Sequence, residues 1–325
     1  MGSITTRSYQ GDEERVTVDD LDAVSDLLAG GCDIVWIDLD DPTKDDLTRI
    51  ADELGLHHLA VEDALESHQR DKYVHYEKHV FLVAHAVELD VEEADLRKFE
   101  LDVFIGDRWL VTVSRGAERW IERVVARWDK ARRVAGCRVG VAVYALLDVV
   151  VGGYFDTIDR FESFYDGAAD QVFGEEPIEP AAHRHWFEMR RSLNLFDRIV
   201  RPLTDALGTV VGNDIDHFAP ESAPYLRDVA GELARASAEV DALRELVEHL
   251  VDANLVLRDF RQNLVMKKVT SWAAIIAVPT LVTGWYGMNV PFPGSGEPWG
   301  VITSTAVAVG CSGALYGLFR RKGWL

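Results

Sequence analysis

Two long stretches without a charged side chain come near the end of this sequence. Val269 to Met288 and Trp299 to Phe319 each supply about twenty such residues, enough for a helix to cross a hydrocarbon layer roughly 30 Å thick. Lys267 and Lys268 precede the first stretch, and Arg320 to Lys322 follow the second. Because basic flanks stay inside, the pattern predicts a two-helix hairpin in the cell (inner or plasma) membrane with both termini cytoplasmic. The alternative is a buried helical hairpin in a soluble core.

The part of the chain before Lys268 is strongly acidic. It holds 30 Lys and Arg against 54 Asp and Glu, a net charge of −24 with His neutral. Such a surface repels nucleic-acid phosphates and attracts cations. Residues 1–14 lack the apolar core of a signal peptide, so we expect this part to stay in the cytoplasm. The charge predicts divalent cations and no nucleic acid as partners. The apolar hairpin predicts membrane lipid around it.

Motifs of nucleotide binding and catalysis are absent from the sequence. It contains no GxxxxGK[ST] loop, GxSxG elbow, HExxH pair or Gly-rich dinucleotide loop, which predicts no nucleotide partner and no enzymatic activity. The three cysteines show no CxxC spacing, so no disulfide framework or zinc knuckle is indicated. His68, His75 and His79 are spaced too widely for a zinc site, and we interpret them as surface histidines.

The periodicity of apolar residues divides the chain into three parts. Residues 1–140 read as an α/β domain, with strands at Asp33 to Ile37, His79 to Leu89, Leu101 to Ile105 and Trp109 to Ser114, a turn at Gly106-Asp107, and helices at Thr43 to Leu54 and Glu118 to Arg133. Residues 141–267 read as helices that break at Gly174 to Pro177 and at Gly212 to Asp214, the first two being antiparallel. Residues 268–325 form the hairpin and a basic tail. The predicted fold class is therefore α+β.

The last long helix is predicted to start near Ser222 and to run without a break to Gly287, close to 100 Å at 1.5 Å per residue. Residues spaced three and four apart, all apolar except Asn254, form a stalk-like seam along it: Val229, Leu233, Ala236, Val240, Leu243, Val247, Leu250, Asn254 and Leu257. Further along, a second stripe is small or polar except for one methionine: Asn263, Met266, Thr270, Ala273, Ala277, Thr280, Gly284 and Gly287. Such a stripe suits close helix packing or, in an oligomer, a pore lining. Its threonines favour the pore.

Four residues at the end of the first apolar stretch carry a family resemblance. Tyr286-Gly287-Met288-Asn289 resembles the signature of the CorA family of magnesium channels, whose Gly-Met-Asn closes the first of two C-terminal transmembrane helices. Further similarities follow in the family's order: Leu59 to Leu65 with His68-Gln69-Arg70 and Lys72, Tyr225 to Val229, Pro279-Thr280, and Trp324-Leu325 after the basic cap.

This resemblance implies a homopentamer with a cytoplasmic α/β domain, a funnel of stalk helices and an axial pore for Mg²⁺, with Co²⁺ or Ni²⁺ as further ions. Gly287, Met288 and Asn289 would form the selectivity filter, because amide and carbonyl oxygens hold hydrated Mg²⁺ without trapping it. The implied pore lining is Asn263, Met266, Val269, Thr270, Ala277, Thr280 and Gly284. Many relatives carry bulkier residues where Val269 and Ala277 stand, so the constriction is wider here or lies nearer Met266.

The resemblance also implies a regulatory Mg²⁺ site between subunits. Asp63 of one subunit would meet Asp228 of the next, with Glu62 as a helper, and loss of cytosolic Mg²⁺ would open the pore. Glu297, the one acid in the outer loop, either concentrates cations or is inert. Two alternatives remain open at this point: a ZntB-like zinc transporter and a membrane-anchored metal sensor that does not conduct.

Overall fold

A computed structural model describes residues 3–11, 13–18, 24–66, 69–174, 176, 178–214, 218–288, 294 and 297–325. The chain divides into two compact units, residues 1–248 and 249–325. The strands are β1 Ser3–Gln10, β2 Glu13–Val18, β3 Ile34–Asp40, β4 Lys72–His75, β5 Val80–Asp90, β6 Asp95–Ile105 and β7 Trp109–Ser114. The helices are α1 Val24–Ala29, α2 Lys44–Leu54, α3 His58–Leu65, α4 Glu118–Ala135, α5 Val139–Phe173, α6 Pro180–Thr209, α7 Ala223–Tyr286 and α8 Pro298–Arg321.

The first unit is built on a seven-stranded sheet in the order β2-β1-β3-β7-β6-β5-β4. Only β3 and β7 pair in parallel; the other neighbours are antiparallel. One face packs its apolar side chains against α1, α2 and α3 in a single core cluster. The other face is covered by α4 and α5, where Trp128 meets Tyr9 edge to face at 5.6 Å. Both faces of the sheet are therefore covered, which explains why its central strands are almost continuously apolar.

Local signals fix the short helices on the first face of the sheet. α2 begins in a capping box between Thr43 and Asp46, and Gly55 ends it in the left-handed conformation, at φ +66°. α3 follows after two residues, and the His57 ring nitrogen accepts a hydrogen bond from the Leu59 N–H at 3.3 Å. Because α3 buries Ala60 and Ala64, its polar side presents the predicted metal ligands at the surface.

The long helices of the first unit pack along one another as the sequence predicts. Tyr154 and Phe161 of α5 both contact Phe196 of α6, while Phe164 contacts His185, so the two helices are antiparallel. The predicted seam on α7 is buried from Val229 through Leu250, and Leu257 is half-buried. In the first unit, Arg201 of α6 pairs with Asp241 of α7, and Arg244 pairs with Asp197 at 3.2 Å. The seam therefore packs within one subunit.

Five elements of the first unit were not predicted from the sequence: β1, β2, β4, α1 and α3. The predicted strands from Asp33 and from Leu101 are also longer than expected, reaching Asp40 and starting at Asp95. The expected break at Gly212 to Asp214 is wrong, because a π-helical turn, Val210–Asp214, continues α6 through these residues. His79 is not a surface histidine: it is 4% exposed and stacks on Tyr76. His75 is exposed as predicted, and His68 lies outside the described residues.

Two adjacent glycines of α5 give a test of this packing. A Cβ on Gly153 would lie 2.7 Å from the ring of buried Trp120, whereas a Cβ on Gly152 would meet nothing within 4 Å. We expect Gly153→Ala to destabilise the protein by about 1–3 kcal/mol through overpacking. Gly152→Ala, the matched control, should stabilise it by up to about 1 kcal/mol through helix propensity. Melting temperatures of the two full-length variants in detergent decide the matter; equal values would contradict the α4–α5 contact.

The second unit contains the remainder of α7 and all of α8. Among the described residues, three helices are long and apolar enough to span a membrane: Val139–Phe173, Ala223–Tyr286 and Pro298–Arg321. The apolar window of the first is 78% buried, whereas those of the other two are 6% and 0% buried. α5 therefore belongs to the core of the first unit. The exposed apolar surface lies on α7 and α8, where the sequence places the two spans.

Candidate ion pathway and regulatory metal site

The predicted pore-lining stripe is exposed on α7 of the second unit. Partly buried or buried residues recur on another side of this helix, at Ser271, Ile275, Val278, Val282 and Tyr286. α8 carries a matching series at Ser304, Ala308, Ser312, Leu315 and Phe319, and Trp272 of α7 contacts Tyr316 of α8 at a ring separation of 6.5 Å. The predicted pore-lining residues fall outside the buried series, and all seven are exposed: Asn263, Met266, Val269, Thr270, Ala277, Thr280 and Gly284.

Two polar side chains of this stripe each donate a hydrogen bond within the helix. Asn263 Nδ2 donates to the Asp259 carbonyl at 3.0 Å, and Thr280 Oγ1 donates to the Ile276 carbonyl at 3.2 Å. Each side-chain oxygen keeps lone pairs that can accept a hydrogen bond from water. The stripe therefore offers acceptors without a fixed negative charge, which suits a hydrated cation better than a bare one.

α7 ends in a tight turn at the start of the Tyr286-Gly287-Met288-Asn289 motif. Gly287 N–H donates to the Thr283 carbonyl at 2.8 Å, and Met288 N–H donates to the Trp285 carbonyl at 3.3 Å. A Cβ on Gly287 would lie only 3.0 Å from the Thr283 oxygen, so glycine permits this close turn. Met288 is 47% exposed. Asn289 lies outside the described residues. Glu297 is exposed and directly precedes α8.

Among the predicted regulatory residues, Asp63 has a partner that the sequence did not reveal. Its Oδ2 accepts a hydrogen bond from Lys72 Nζ at 2.8 Å, and the same ammonium donates to Gln69 Oε1 at 3.1 Å. Both partners of the ion pair are about 30% exposed. Glu62, one residue earlier on α3, is exposed. Lys72 stands in the quoted motif, but only the structure shows that its side chain returns to α3.

Asp228 lies on the first turns of α7 in an acidic neighbourhood. It is exposed, and burial together with the charges of Asp228 and Asp148 raises the pKa of Glu232. Arg127 holds Asp148 with two hydrogen bonds of 2.6 and 3.1 Å. Within the described part of one chain, no group of three His, Cys, Asp or Glu side chains has the geometry of a metal site. Asp63 and Asp228 are both accessible carboxylates in one subunit.

Four ionisable residues of the first unit, Asp71, His85, Glu100 and Asp102, form a largely buried cluster on the sheet. The strand register brings three of them to one face. Asp102 and Glu100 of β6 are opposite Val83 and His85 of β5, so the four side chains share one face of the sheet. His85 Nδ1 contacts Asp71 Oδ1, and its Nε2 lies 3.4 Å from Glu100. Burial lowers the pKa of His85, but the hydrogen bonds with Asp71 and Glu100 outweigh it and raise this pKa to about 9. The histidine is therefore a buried cation at neutral pH.

Asp102 makes the stability of the protein dependent on pH. Burial, and secondarily Glu100, raises its pKa to about 8. Between about pH 4 and pH 8, the folded protein keeps this proton whereas the unfolded chain releases it. The free energy of unfolding therefore falls as the pH rises toward 8. We expect Asp102→Asn to melt at least about 4 °C higher than the unmodified protein at pH 9, and to differ less at pH 5. Parallel melting curves between pH 5 and 9 would contradict this assignment.

The fold and the candidate site define a class of proteins that have an α/β unit, long helices and two exposed apolar helices. Comparison with known proteins identifies a family within this class. Residues 32–321 match the family model described as CorA-like Mg²⁺ transporter protein, and the chain belongs to this family. Its members are membrane transporters, not enzymes.

Individual relatives agree with the family match. The cobalt/magnesium transport protein CorA of Thermotoga maritima is 25% identical over 293 residues, covering 89% of this chain and 83% of that protein. CorA of Methanocaldococcus jannaschii is 22% identical over 298 residues, covering 90% and 92%. The complete structure of the M. jannaschii magnesium transporter superposes with a TM-score of 0.81, over 99% of this chain and 98% of that one. These matches confirm the resemblance and the coarse fold.

Proposed function

We propose that this protein is a homopentameric channel that admits Mg²⁺ to the cytoplasm down the membrane potential, with Co²⁺ and Ni²⁺ as further ions. The observation that carries the proposal is the exposed stripe of small and polar residues on α7, in a chain that belongs to the CorA-like family. A single α7 cannot enclose a pathway. Five copies around an axis would bring five such stripes together.

In the proposed assembly, α7 and α8 form a membrane hairpin with both ends in the cytoplasm. Lys267 and Lys268 and the basic end of α8 flank the hairpin on that side. The excess of acidic residues before Lys268 attracts cations. No nucleotide is needed, because moving a doubly charged ion through 100 mV releases roughly 4.6 kcal/mol.

The proposed filter is a ring of Gly287, Met288 and Asn289 at the outer mouth. Mg²⁺ dehydrates reluctantly, so its six waters stay in place and donate hydrogen bonds to the carboxamide and carbonyl oxygens of the ring. A neutral ring binds weakly enough to release the ion. Glu297 adds one negative charge per subunit close to this mouth and would raise the local cation concentration.

The proposed regulation uses Mg²⁺ as the only cofactor. A cytosolic ion would bridge Asp63 of one subunit and Asp228 of the next, with Glu62 nearby. Glu62 and Asp228 are exposed and Asp63 is partly exposed, which supports access by a neighbouring subunit. Five acidic units repel one another, and a dication at each interface offsets that repulsion. Filling the sites would therefore hold the pore closed, and emptying them would open it.

One flux experiment separates this proposal from its two alternatives. Uptake of Mg²⁺, Co²⁺, Ni²⁺ and Zn²⁺ is measured in one preparation of liposomes that contain the protein, with an inside-negative potential. We expect Mg²⁺ to enter and Zn²⁺ to enter more slowly. Zn²⁺ entry without Mg²⁺ entry would favour a ZntB-like zinc transporter, and no entry of any ion would favour a sensor that does not conduct.

A further inference from the structure

We infer that Lys72 is a built-in competitor of the regulatory ion, and that it sets the Mg²⁺ concentration at which Asp63 is filled. The inference rests on the proposed function. Its first observation is the ion pair itself: Lys72 Nζ lies 2.8 Å from Asp63 Oδ2. A carboxylate that already has a cation at hydrogen-bond distance loses that contact when it turns to a metal ion. Mg²⁺ binding that uses Oδ2 therefore displaces the ammonium.

The strand register gives the displaced ammonium a second place to go. Lys72 of β4 is opposite Val83 of β5, and Val83 is opposite Asp102 of β6. Opposite residues share one face, so Lys72 and Asp102 are on the same side of the sheet with one strand between them. Two strand spacings amount to about 10 Å, which a lysine and an aspartate side chain together can bridge. Lys72 Nζ already lies over the Phe81 ring, 5.7 Å from its centroid.

Asp102 is a buried carboxyl group that can accept a hydrogen bond from the Lys72 ammonium. It is 1% exposed, and its Oδ1 has no hydrogen-bond partner among the residues that the structure describes. The charges around it are those of Glu100, Arg115, His85 and Lys72. A buried carboxyl oxygen without a partner is costly, and an arriving ammonium would lower that cost. Lys72 thus alternates between Asp63 when the metal site is empty and Asp102 when it is filled.

Competition from Lys72 would raise the Mg²⁺ concentration that is needed to fill the site at Asp63. An exposed Lys–Asp pair contributes about 0.2–1 kcal/mol, so removing Lys72 should lower the midpoint Mg²⁺ concentration by about two- to fivefold. A lysine that merely held α3 in place would give the opposite result, because its loss would disorder Asp63 and raise the midpoint. The direction of the shift therefore separates competition from support.

The test measures protection of the full-length protein in detergent from chymotrypsin as Mg²⁺ is raised. Chymotrypsin is used because changes at Lys72 would alter a trypsin site. We expect Lys72→Met to reach half-protection at about two- to fivefold lower Mg²⁺, and Lys72→Arg to stay near the unmodified protein. Lys130→Met, the same change on the exposed surface of α4, is the matched control for net charge and should leave the midpoint unchanged.

Two further variants complete the experiment. Asp102→Leu removes the second acceptor, so it should raise the midpoint when Lys72 is present and have no effect in the Lys72→Met background. Asp63→Asn should abolish the response at these Mg²⁺ concentrations. If Asp63→Asn loses protection but Lys72→Met does not lower the midpoint, the inference about Lys72 is wrong and the regulatory site stands. If Asp63→Asn keeps the unmodified midpoint, the regulatory site and the inference both fail.

Discussion

Replacing Asn289 by Ala is expected to lower Mg²⁺ flux into reconstituted liposomes at least about tenfold. In the proposed ring, five carboxamides accept hydrogen bonds from the water shell of the arriving ion. Each such bond contributes about 1 kcal/mol, so the loss of even two of them exceeds a factor of ten in occupancy. The substitution removes the acceptors and leaves the charge of the protein unchanged.

The control for this variant is Asn194→Ala, which makes the same chemical change on a half-buried position of α6 in the first unit. It should conduct Mg²⁺ like the unmodified protein. Elution of both variants at the same size in detergent shows that assembly is intact. Flux of the Asn289 variant within twofold of the unmodified value would remove Asn289 from the filter.

A charged ring gives a complementary result. Asn289→Asp would place five carboxylates at the mouth. These would bind Mg²⁺ more tightly than the carboxamides do and release it more slowly. We expect flux to saturate at a lower Mg²⁺ concentration and at a lower maximum. An unchanged saturation curve would show that the ion does not contact position 289.

Replacing Asp228 by Ala is expected to raise the Mg²⁺ concentration for half-protection from proteolysis at least about tenfold. In the proposed site, the ion bridges Asp228 and Asp63 across each interface. Removing one partner of such a charged contact costs about 2–5 kcal/mol. Asp228 is exposed and pairs with no basic side chain within the described part of its own chain, so its loss should leave the subunit folded.

Asp166→Ala is the matched control for the regulatory site, because Asp166 is an exposed aspartate on α5. It should keep the unmodified midpoint. Asp228→Lys tests the same interface from the other side: an ammonium facing Asp63 would replace part of the bridging charge, so we expect protection with little dependence on Mg²⁺. Full dependence of the lysine variant on Mg²⁺ would exclude Asp228 from the site.

Strong periodicity made the long helices predictable from sequence. α7 begins one residue after Ser222 and ends one residue before Gly287, even though Pro279 lies inside it. Its seam from Val229 to Leu250 is buried as predicted. A long apolar pattern fixes a helix and its buried face together, so little else is needed.

The missed strands lack such a pattern. In β1, the buried residues are Thr6, Ser8 and Tyr9, whose side chains are polar or amphipathic, and β4 holds Lys72 and His75 in only four residues. β4 is the short edge strand of a hairpin with β5, whereas β1 is held by pairing with β3, which follows β2 and α1 in the chain. Pairing of this kind is a tertiary property that local propensity does not encode.

The candidate sites divide in the same way. Motifs place Asp63 and Asp228 at the surface, and the structure finds both accessible. No sequence pattern indicated that Lys72 turns back to Asp63, that Asp71 contacts His85, or that His79 is buried. Each of these contacts depends on which strands lie side by side, since a one-residue change of register would send the side chains to the opposite face.

Mg²⁺ uptake driven by a membrane potential shows whether this protein is a channel. Liposomes that contain the purified protein and a Mg²⁺-sensitive dye are given an inside-negative or an inside-positive potential, beside liposomes without protein. We expect rapid Mg²⁺ entry that grows with the inside-negative potential and is suppressed when the potential is reversed. Entry no faster than in protein-free liposomes at every potential would contradict it.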